Sequence, residues 1–311
     1  MSENAVQLVV VGSIGIDTIE TPFDRRESIL GGSASYACAT SALFTDVGMV
    51  GVVGADFLAE YEALYAQFGI NLTGLQKKDG ETFRWSGVYK DNMDDRDTLS
   101  TELNVLAEFS PTLPAAYRKA PYVFLANIGP DLQQHVIDQI EKPEFVAMDT
   151  MDLRINTQRD ALVKVIGQVD LLTLNESEAR RLSGEHFLPR AAECLLEMGP
   201  RYVLIKKGEH GSMLFSKEGI FVLPAFPLNR VVDPTGAGDA FAGGFMGALA
   251  AMREVDQDRI RSAMVNGSVV ASFAVEAFGL DRLKTLTRDE IDTRAHAFRE
   301  MMRVPEALTP A

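Results

Sequence analysis

Short runs of the chain are almost wholly apolar: QLVVVGS (7–13), VGMVGVVG (47–54), YVFLAN (122–127), FVAMDT (145–150), DLLTLN (170–175) and YVLIKKG (202–208). Such runs, without alternation, are expected of strands covered on both faces. Between them apolar positions recur at helical spacing, over 56–68, 131–141, 158–168, 176–183 and 189–198. Strand–helix alternation predicts a three-layer α/β/α arrangement around a mostly parallel sheet. The last third predicts helices alone, over 237–252, 256–275 and 287–302.

Two stretches, 14–36 and 81–104, break this pattern. ETFRWSGVYK (81–90) has strand propensity, and NMDDRDTLSTELN (92–104) begins as a polar turn. An antiparallel pair there, packed with strands from 16–30, predicts a small separate β-sheet that serves as a lid. A decorative hairpin is the alternative. Residues 1–311 are expected to form one α/β domain carrying this appendage.

Residues 233–245 read DPTGAGDAFAGGF, and they lie between the strand-like FPLNRVVD (226–233) and a helix. Glycine costs a helix interior roughly 1 kcal/mol relative to alanine, so this density needs a reason. At a helix N-terminus the first N–H groups lack intrahelical partners and the dipole favours an anion. Gly236, Ala237 and Gly238 would let those N–H groups close around phosphate. Gly243, Gly244 and Gly247 lie further on and are expected to serve close helix packing. Asp239 would repel a bound phosphate. Its position makes sense for a base that takes a proton from an alcohol attacking the phosphoryl group. A simple helix-capping role is the alternative.

Other chemistries find no support in the motifs. The chain has no Gly-Lys dipeptide and hence no Walker A loop, and Phe241 stands where a dinucleotide fingerprint would need glycine. No G-x-S-x-G elbow occurs. The net charge of −14 disfavours a nucleic-acid partner. The four histidines are scattered without zinc-ligand spacing. No apolar run approaches the ~20 residues of a membrane helix. The opening MSENAVQLVVVGS lacks a basic leader, and Cys38 and Cys194 are the only cysteines, so the cytoplasm is the expected compartment.

DPTGAGDAFAGGF resembles the C-terminal signature of the ribokinase-like (PfkB) family of carbohydrate and nucleoside kinases. LGGSASYACATSA (30–42) resembles that family's Gly-Gly segment, and VGSIGIDTIE its opening strand. NESEA (175–179) resembles the N-x-x-E element and KKGEHGS (206–212) the nucleotide loop. The matches run in family order across residues 7 to 280.

The resemblance implies an ATP-dependent kinase acting on the hydroxyl of a small acceptor. It implies Asp239 as general base, with Gly236, Ala237 and Gly238 as the anion hole. Asp17, Gly31, Gly32 and Ser33 would contact the acceptor, Asp17 as an ionised carboxylate that accepts hydrogen bonds from hydroxyls. Asn175, Lys206, Gly208 and Gly211 would contact the nucleotide, and Asn266 or Ser268 would flank adenine. Glu178 would order Mg²⁺ through water. Asp233 and Thr235 match positions that hold a monovalent cation, usually K⁺, in many members. Asn175 and Glu178 also fit a capping box, and Lys206 also fits a solvated strand end. Tyr36 departs from the family, standing where many sugar kinases carry asparagine. A sugar-like acceptor is expected first. A purine nucleoside is the alternative, suggested by Gly-Gly-Ser and by Phe83 and Trp85 in the lid. A non-catalytic sugar- or nucleotide-binding regulator is a third. Pairing of lids into a homodimer is a further expectation from the family.

Overall fold

The computed structural model describes residues 6–304. The chain opens with β1 (Leu8–Val11), β2 (Gly15–Glu20) and β3 (Arg25–Gly31), then α1 (Ser33–Ser41), β4 (Val47–Val53), α2 (Ala59–Gln67) and β5 (Asn71–Lys77). A hairpin follows, β6 (Phe83–Tyr89) and β7 (Arg96–Glu102). Next come β8 (Tyr122–Leu125), α3 (Pro130–Ile137), β9 (Phe145–Asp149), α4 (Asp152–Thr157) and α5 (Arg159–Ile166). They lead to β10 (Leu171–Asn175), α6 (Glu176–Ser183), α7 (Leu188–Glu197), β11 (Tyr202–Lys206), β12 (Ser212–Ser216) and β13 (Gly219–Leu223). Three helices close the chain: α8 (Ala237–Met252), α9 (Gln257–Ala274) and α10 (Arg288–Met301).

The large sheet runs β13-β12-β11-β10-β9-β8-β1-β4-β5. The strands from β11 to β5 in that order pair in parallel; β12 and β13 add an antiparallel edge. The apolar runs predicted as strands are strands buried on both faces, such as the fully buried LVVV of β1. Two cores sit on the two faces. Leu8 and Val10 join α1, α2, α8, α9 and α10 on one side. Val9 and Val11 join α3 to α7 on the other. No helix among the described residues is long and apolar enough to cross a membrane.

The small sheet runs β3-β2-β6-β7, with β2 and β6 parallel and the two outer pairs antiparallel. Its inner face rests on the body through a minor cluster of Ile19, Tyr89 and Phe278, flanked by Trp85, Met93 and Val232.

Several expectations need correction. The segment 14–36 leaves the small sheet at Gly31, because Ser33–Ser41 is a helix buried along its whole length. SASYACATS shows no apolar stripe because every side of this helix meets protein. FPLNRVVD is not a strand: it is a loop, and only Val232 and Asp233 of it donate to backbone, to the Val275 carbonyl. The sequence pattern also missed β5, β12 and β13. β5 and β13 lie at the two sheet edges and carry exposed positions.

Candidate active site

Parallel strands deliver their C-terminal ends to one edge of the sheet, and the order reverses around β1, which pairs β8 on one side and β4 on the other. Asp149 ends β9, Asn175 ends β10 and Lys206 ends β11. Helix α8 begins beside them. Its N-cap, Gly236, has φ of 74°. A Cβ there would also lie 2.4 Å from the Tyr36 ring. Only glycine meets both demands. Ala237, Gly238 and Asp239 fill the first turn.

The expected anion hole is partly engaged. The Ala237 N–H donates to the Pro234 carbonyl at 3.1 Å. Gly238 and Asp239 occupy the second and third helical positions, where no carbonyl four residues back exists within the helix. A Cβ on Gly238 would approach the Lys206 ammonium to 3.3 Å. Lys206 therefore reaches the helix N-terminus. It is no solvated strand end, for its Nζ donates to the buried Asp149 Oδ2 at 2.6 Å. Burial works against its charge, but Asp149, Glu178 and Asp239 together outweigh it and hold the ammonium above its ordinary value.

Asp239 is half-buried, and its carboxyl is pushed up to about 7. Burial is the main cause and Asp149 adds to it; Lys206 and Arg96 pull the other way. Asp149 escaped the sequence reading. The signal was there, a carboxylate ending an apolar strand of a parallel sheet. Tyr89, buried at the end of β6, was also missed, because the hairpin sequence does not reveal which of its side chains face the body.

Asn175 and Glu178 form the capping box reciprocally. The Glu178 N–H donates to Asn175 Oδ1 at 2.9 Å, and the Asn175 N–H donates to Glu178 Oε2 at 2.7 Å. Glu178 is buried, and burial followed by Asp149 raises its carboxyl.

Asp17 lies on β2, 4% exposed, with Oδ1 bonded to nothing. A Cβ on Gly31 would lie 2.0 Å from its Oδ2, so the bare backbone of β3 is what admits the carboxyl. Burial, then Asp233 and Asp239, push the Asp17 carboxyl up to about 8, which favours a protonated form able to donate as well as accept over the ionised form expected from the sequence. Tyr36 Oη, fully buried, is also without a partner.

Ser33 is committed to structure. Its hydroxyl accepts from the Ser13 N–H at 3.1 Å and donates to the Asn127 carbonyl at 3.4 Å, and its own N–H donates to Ser13 Oγ. Gly32 is the N-cap of α1. Asp233 accepts from the Thr235 N–H at 2.9 Å and the Gly279 N–H at 3.1 Å, tying two loops. Thr235 Oγ1 donates to Tyr89 Oη at 3.1 Å. Gly208 and Gly211 bracket a short 3₁₀ turn after β11. Asn266 sits mid-helix on α9 with its amide donating to the Ser262 carbonyl, and Ser268 is buried on the same helix.

A carboxyl raised toward neutrality thus stands at a helix N-terminus beside a partly buried lysine. A model described as pfkB family carbohydrate kinase matches residues 6–285. The chain belongs to this family. PfkB kinases transfer a phosphoryl group from ATP to a hydroxyl acceptor, and this chain is an enzyme of that kind. It is 30% identical to a cytidine kinase of Thermococcus kodakarensis over 260 residues, 81% of this chain and 91% of that one. It is 35% identical to an aminoimidazole riboside kinase of Salmonella typhimurium over 289 residues, 87% of this chain and 89% of that one. In fold it is similar to an E. coli protein solved in complex with ATP and Mg²⁺, with TM-score 0.75, 22% identity and 94% and 99% coverage.

Proposed function

We propose that this PfkB kinase phosphorylates a hydroxyl of a riboside, a ribose bearing a base. The observation that carries the proposal is the indole of Trp85 laid over Gly87, where a Cβ would meet the ring at 2.3 Å. Trp85 is the cross-strand partner of Asp17, so ring and carboxyl share one face of the small sheet. A flat aromatic surface suits a base, and a protonated carboxyl beside it suits ribose hydroxyls. The two curated relatives named above are kinases of ribosides by name. A free sugar is the second reading. It is favoured by Trp85's own commitments, Nε1 donating to Thr98 Oγ1 and the ring packed in the minor cluster.

The small sheet acts as a lid over the acceptor and keeps out water, which would otherwise take the phosphoryl group. Asp239 removes the hydroxyl proton as the oxygen attacks in line. The N–H groups of Gly238 and Asp239, with Lys206, stabilise charge on the transferred group. The fit to ATP rests on the Gly236 and Gly238 positions, where a side chain would strike Tyr36 or Lys206. Mg²⁺ would neutralise the phosphates. Among the described residues no cluster of three or more His, Cys, Asp or Glu forms a protein cage, so Glu178 would reach the ion through water. A K⁺ ion beside 233–235 would add to the tie that Asp233 already makes. A dimer through the lids would use β7, exposed along its length.

The test is ADP release from Mg·ATP with ribosides and free pentoses and hexoses in parallel. Turnover confined to ribosides is expected; turnover confined to a free sugar would overturn the acceptor assignment. Asp239→Asn should lower kcat by about 10²–10⁴-fold with ATP still bound. Near-normal turnover in that variant would remove Asp239 as the base.

A further inference from the structure

The small sheet is built from two hairpins that no tight turn joins. β2 and β6 pair in parallel, Gly15 with Phe83 and Asp17 with Trp85, and the chain between them runs through β3, α1, β4, α2 and β5. A connection of that length leaves the register open, and a slip of one residue would turn every side chain of β6 to the opposite face. The β6–β7 pairing offers no stop, because it is itself irregular between Ser86 and Gly87. Something else must fix where β6 begins.

Asp56, in the loop after β4, holds Thr82, the residue before β6. Asp56 Oδ1 accepts from the Thr82 N–H and from its hydroxyl, both at 2.7 Å. The Thr82 hydroxyl oxygen accepts from the Gly54 N–H at 3.0 Å, and the Thr82 carbonyl accepts from Asn104 Nδ2 at 3.0 Å. Every polar group of Thr82 is used, and the residue is fully buried. Asn104 lies just past β7, so the entry and the exit of the hairpin are held at one point. Backbone bonds repeat the tie, from Ala55 to the Gly80 carbonyl at 2.8 Å and from Val105 to the Glu81 carbonyl at 3.1 Å. Asp56 Oδ2 accepts from Arg84, the second residue of β6, at 2.6 Å. Burial works against the Asp56 charge, but Thr82 and Arg84 outweigh it and hold the carboxyl below its ordinary value. The clamp starts from β4, a strand buried along its whole length between β1 and β5.

We propose that Asp56 is a positioning residue: acting through Thr82, it sets β6 in the register that brings Trp85 opposite Asp17 and so assembles the acceptor site. Asp56 touches no reacting atom. The inference rests on the acceptor reading given above, in which Trp85 and Asp17 face the substrate. Trp85 also reports the register. Arg96 of β7 stands 5.7 Å from its ring centroid, and the ring packs against a cluster that Ile19 of β2 and Phe278 share. The first contact travels with the hairpin and the second does not. A displaced β6 therefore draws the indole off the body into water, and its emission moves to longer wavelength.

The experiment compares full-length wild type with Asp56→Ala, Asp56→Asn, Arg84→Ala and Asn104→Gly. It reads kcat, KM for ATP, KM for the riboside or sugar that turns over in the panel above, ADP release without acceptor, indole emission and thermal midpoint. Asp56→Ala leaves the buried Thr82 N–H unpaired, and apparent acceptor affinity falls with the fraction of chains in register. The acceptor KM should rise about 10-fold, the scale of one lost buried bond, while KM for ATP stays within about twofold. Emission should move to longer wavelength, and ADP release without acceptor should grow relative to turnover as water enters. Asp56→Asn keeps the oxygen that faces Thr82 and loses only the ion pair, so it should restore acceptor KM and emission. Arg84→Ala should match it, since a partly exposed pair is worth little. Asn104→Gly keeps the left-handed backbone, at φ of 47°, and frees only the exit of the hairpin. It should repeat the acceptor-specific loss at smaller size, and it carries the test if Asp56→Ala does not fold.

Equal changes in both KM values, a loss confined to kcat, or wild-type kinetics would overturn the inference. So would damage in Asp56→Asn equal to that in Asp56→Ala, which would assign the effect to Arg84. If Trp85→Phe and Asp17→Asn leave the acceptor KM unchanged, the acceptor reading fails, and the emission shift alone decides the register role. If they raise it and Asp56→Ala does not, the acceptor reading stands and Asp56 loses its role.

Discussion

Asp17, which the proposed function places at the acceptor, carries a cost to the fold. Its carboxyl, pushed up to about 8, stays protonated in the folded chain over a range where the unfolded chain, near 3.8, is ionised. The folded state then binds the extra proton. Its contribution to stability is complete below about pH 4 and is lost as pH rises toward 8. Asp17→Asn should abolish that dependence, raising the thermal midpoint at pH 8 relative to wild type while acceptor binding falls. The gain scales with the shift, at about 1.4 kcal/mol for each pKa unit. An unchanged difference between midpoints at pH 5 and pH 8 would show that Asp17 is ionised in the folded chain. Asp239, raised to about 7, adds the same sign of dependence over a lower window. If Asp239 is the proposed base, the sign reverses in catalysis, because the base must be ionised, and kcat/KM should rise with pH through about 7. These shifts were not legible in the sequence. Asp17 is far along the chain from Asp233 and Asp239, and only folding makes it their neighbour.

At the scale of elements, the glycines of α8 divide by position. Gly236 shapes the site, and the later ones set how close two helices come. A Cβ on Gly243 would lie 2.2 Å from Thr40 Oγ1 and 2.3 Å from the Ala37 carbonyl, and one on Gly247 would lie 2.7 Å from Ser41, all on α1. Ser41 Oγ donates to the Gly243 carbonyl at 2.9 Å across that contact. Gly243→Ala should therefore push α1 from α8, and with it Tyr36 from Gly236. A loss of about 1–3 kcal/mol in denaturant unfolding is expected, the usual range for overpacking, together with reduced kcat. Full stability in that variant would show that α1 yields easily. The packing role of these glycines was legible, and their partner was not. Buried polar residues such as Ser35, Thr40 and Ser41 satisfy themselves within and around α1, so the helix carries no apolar periodicity to find. The parallel strands were legible for the opposite reason, since burial on both faces leaves an unbroken apolar run.

For the whole molecule, two unequal kinds of attachment matter. The two cores on the large sheet are extensive, and the small sheet joins the body through Ile16 and Leu30 in one of them, through the minor cluster around Ile19, Tyr89 and Phe278, and through the Arg84–Asp56 ion pair. If the small sheet moves as the proposed lid, β6 and β7 are the strands free to move, since β2 and β3 are held by Ile16 and Leu30 in the main core, and the motion would break the Tyr89–Thr235 bond. Trp85 sits in the minor cluster, and it is the only tryptophan in the chain. All indole emission from the protein therefore originates at the proposed acceptor site, next to Arg96 and opposite Asp17. Titrating acceptor into the wild-type chain should change emission intensity or wavelength along a saturable curve, and Trp85→Phe should abolish the signal. A flat titration with a proven substrate would place the indole away from the ligand. The fold thus contains its own optical probe, and occupancy of the cleft can be followed in the unlabelled protein, before any phosphate is transferred.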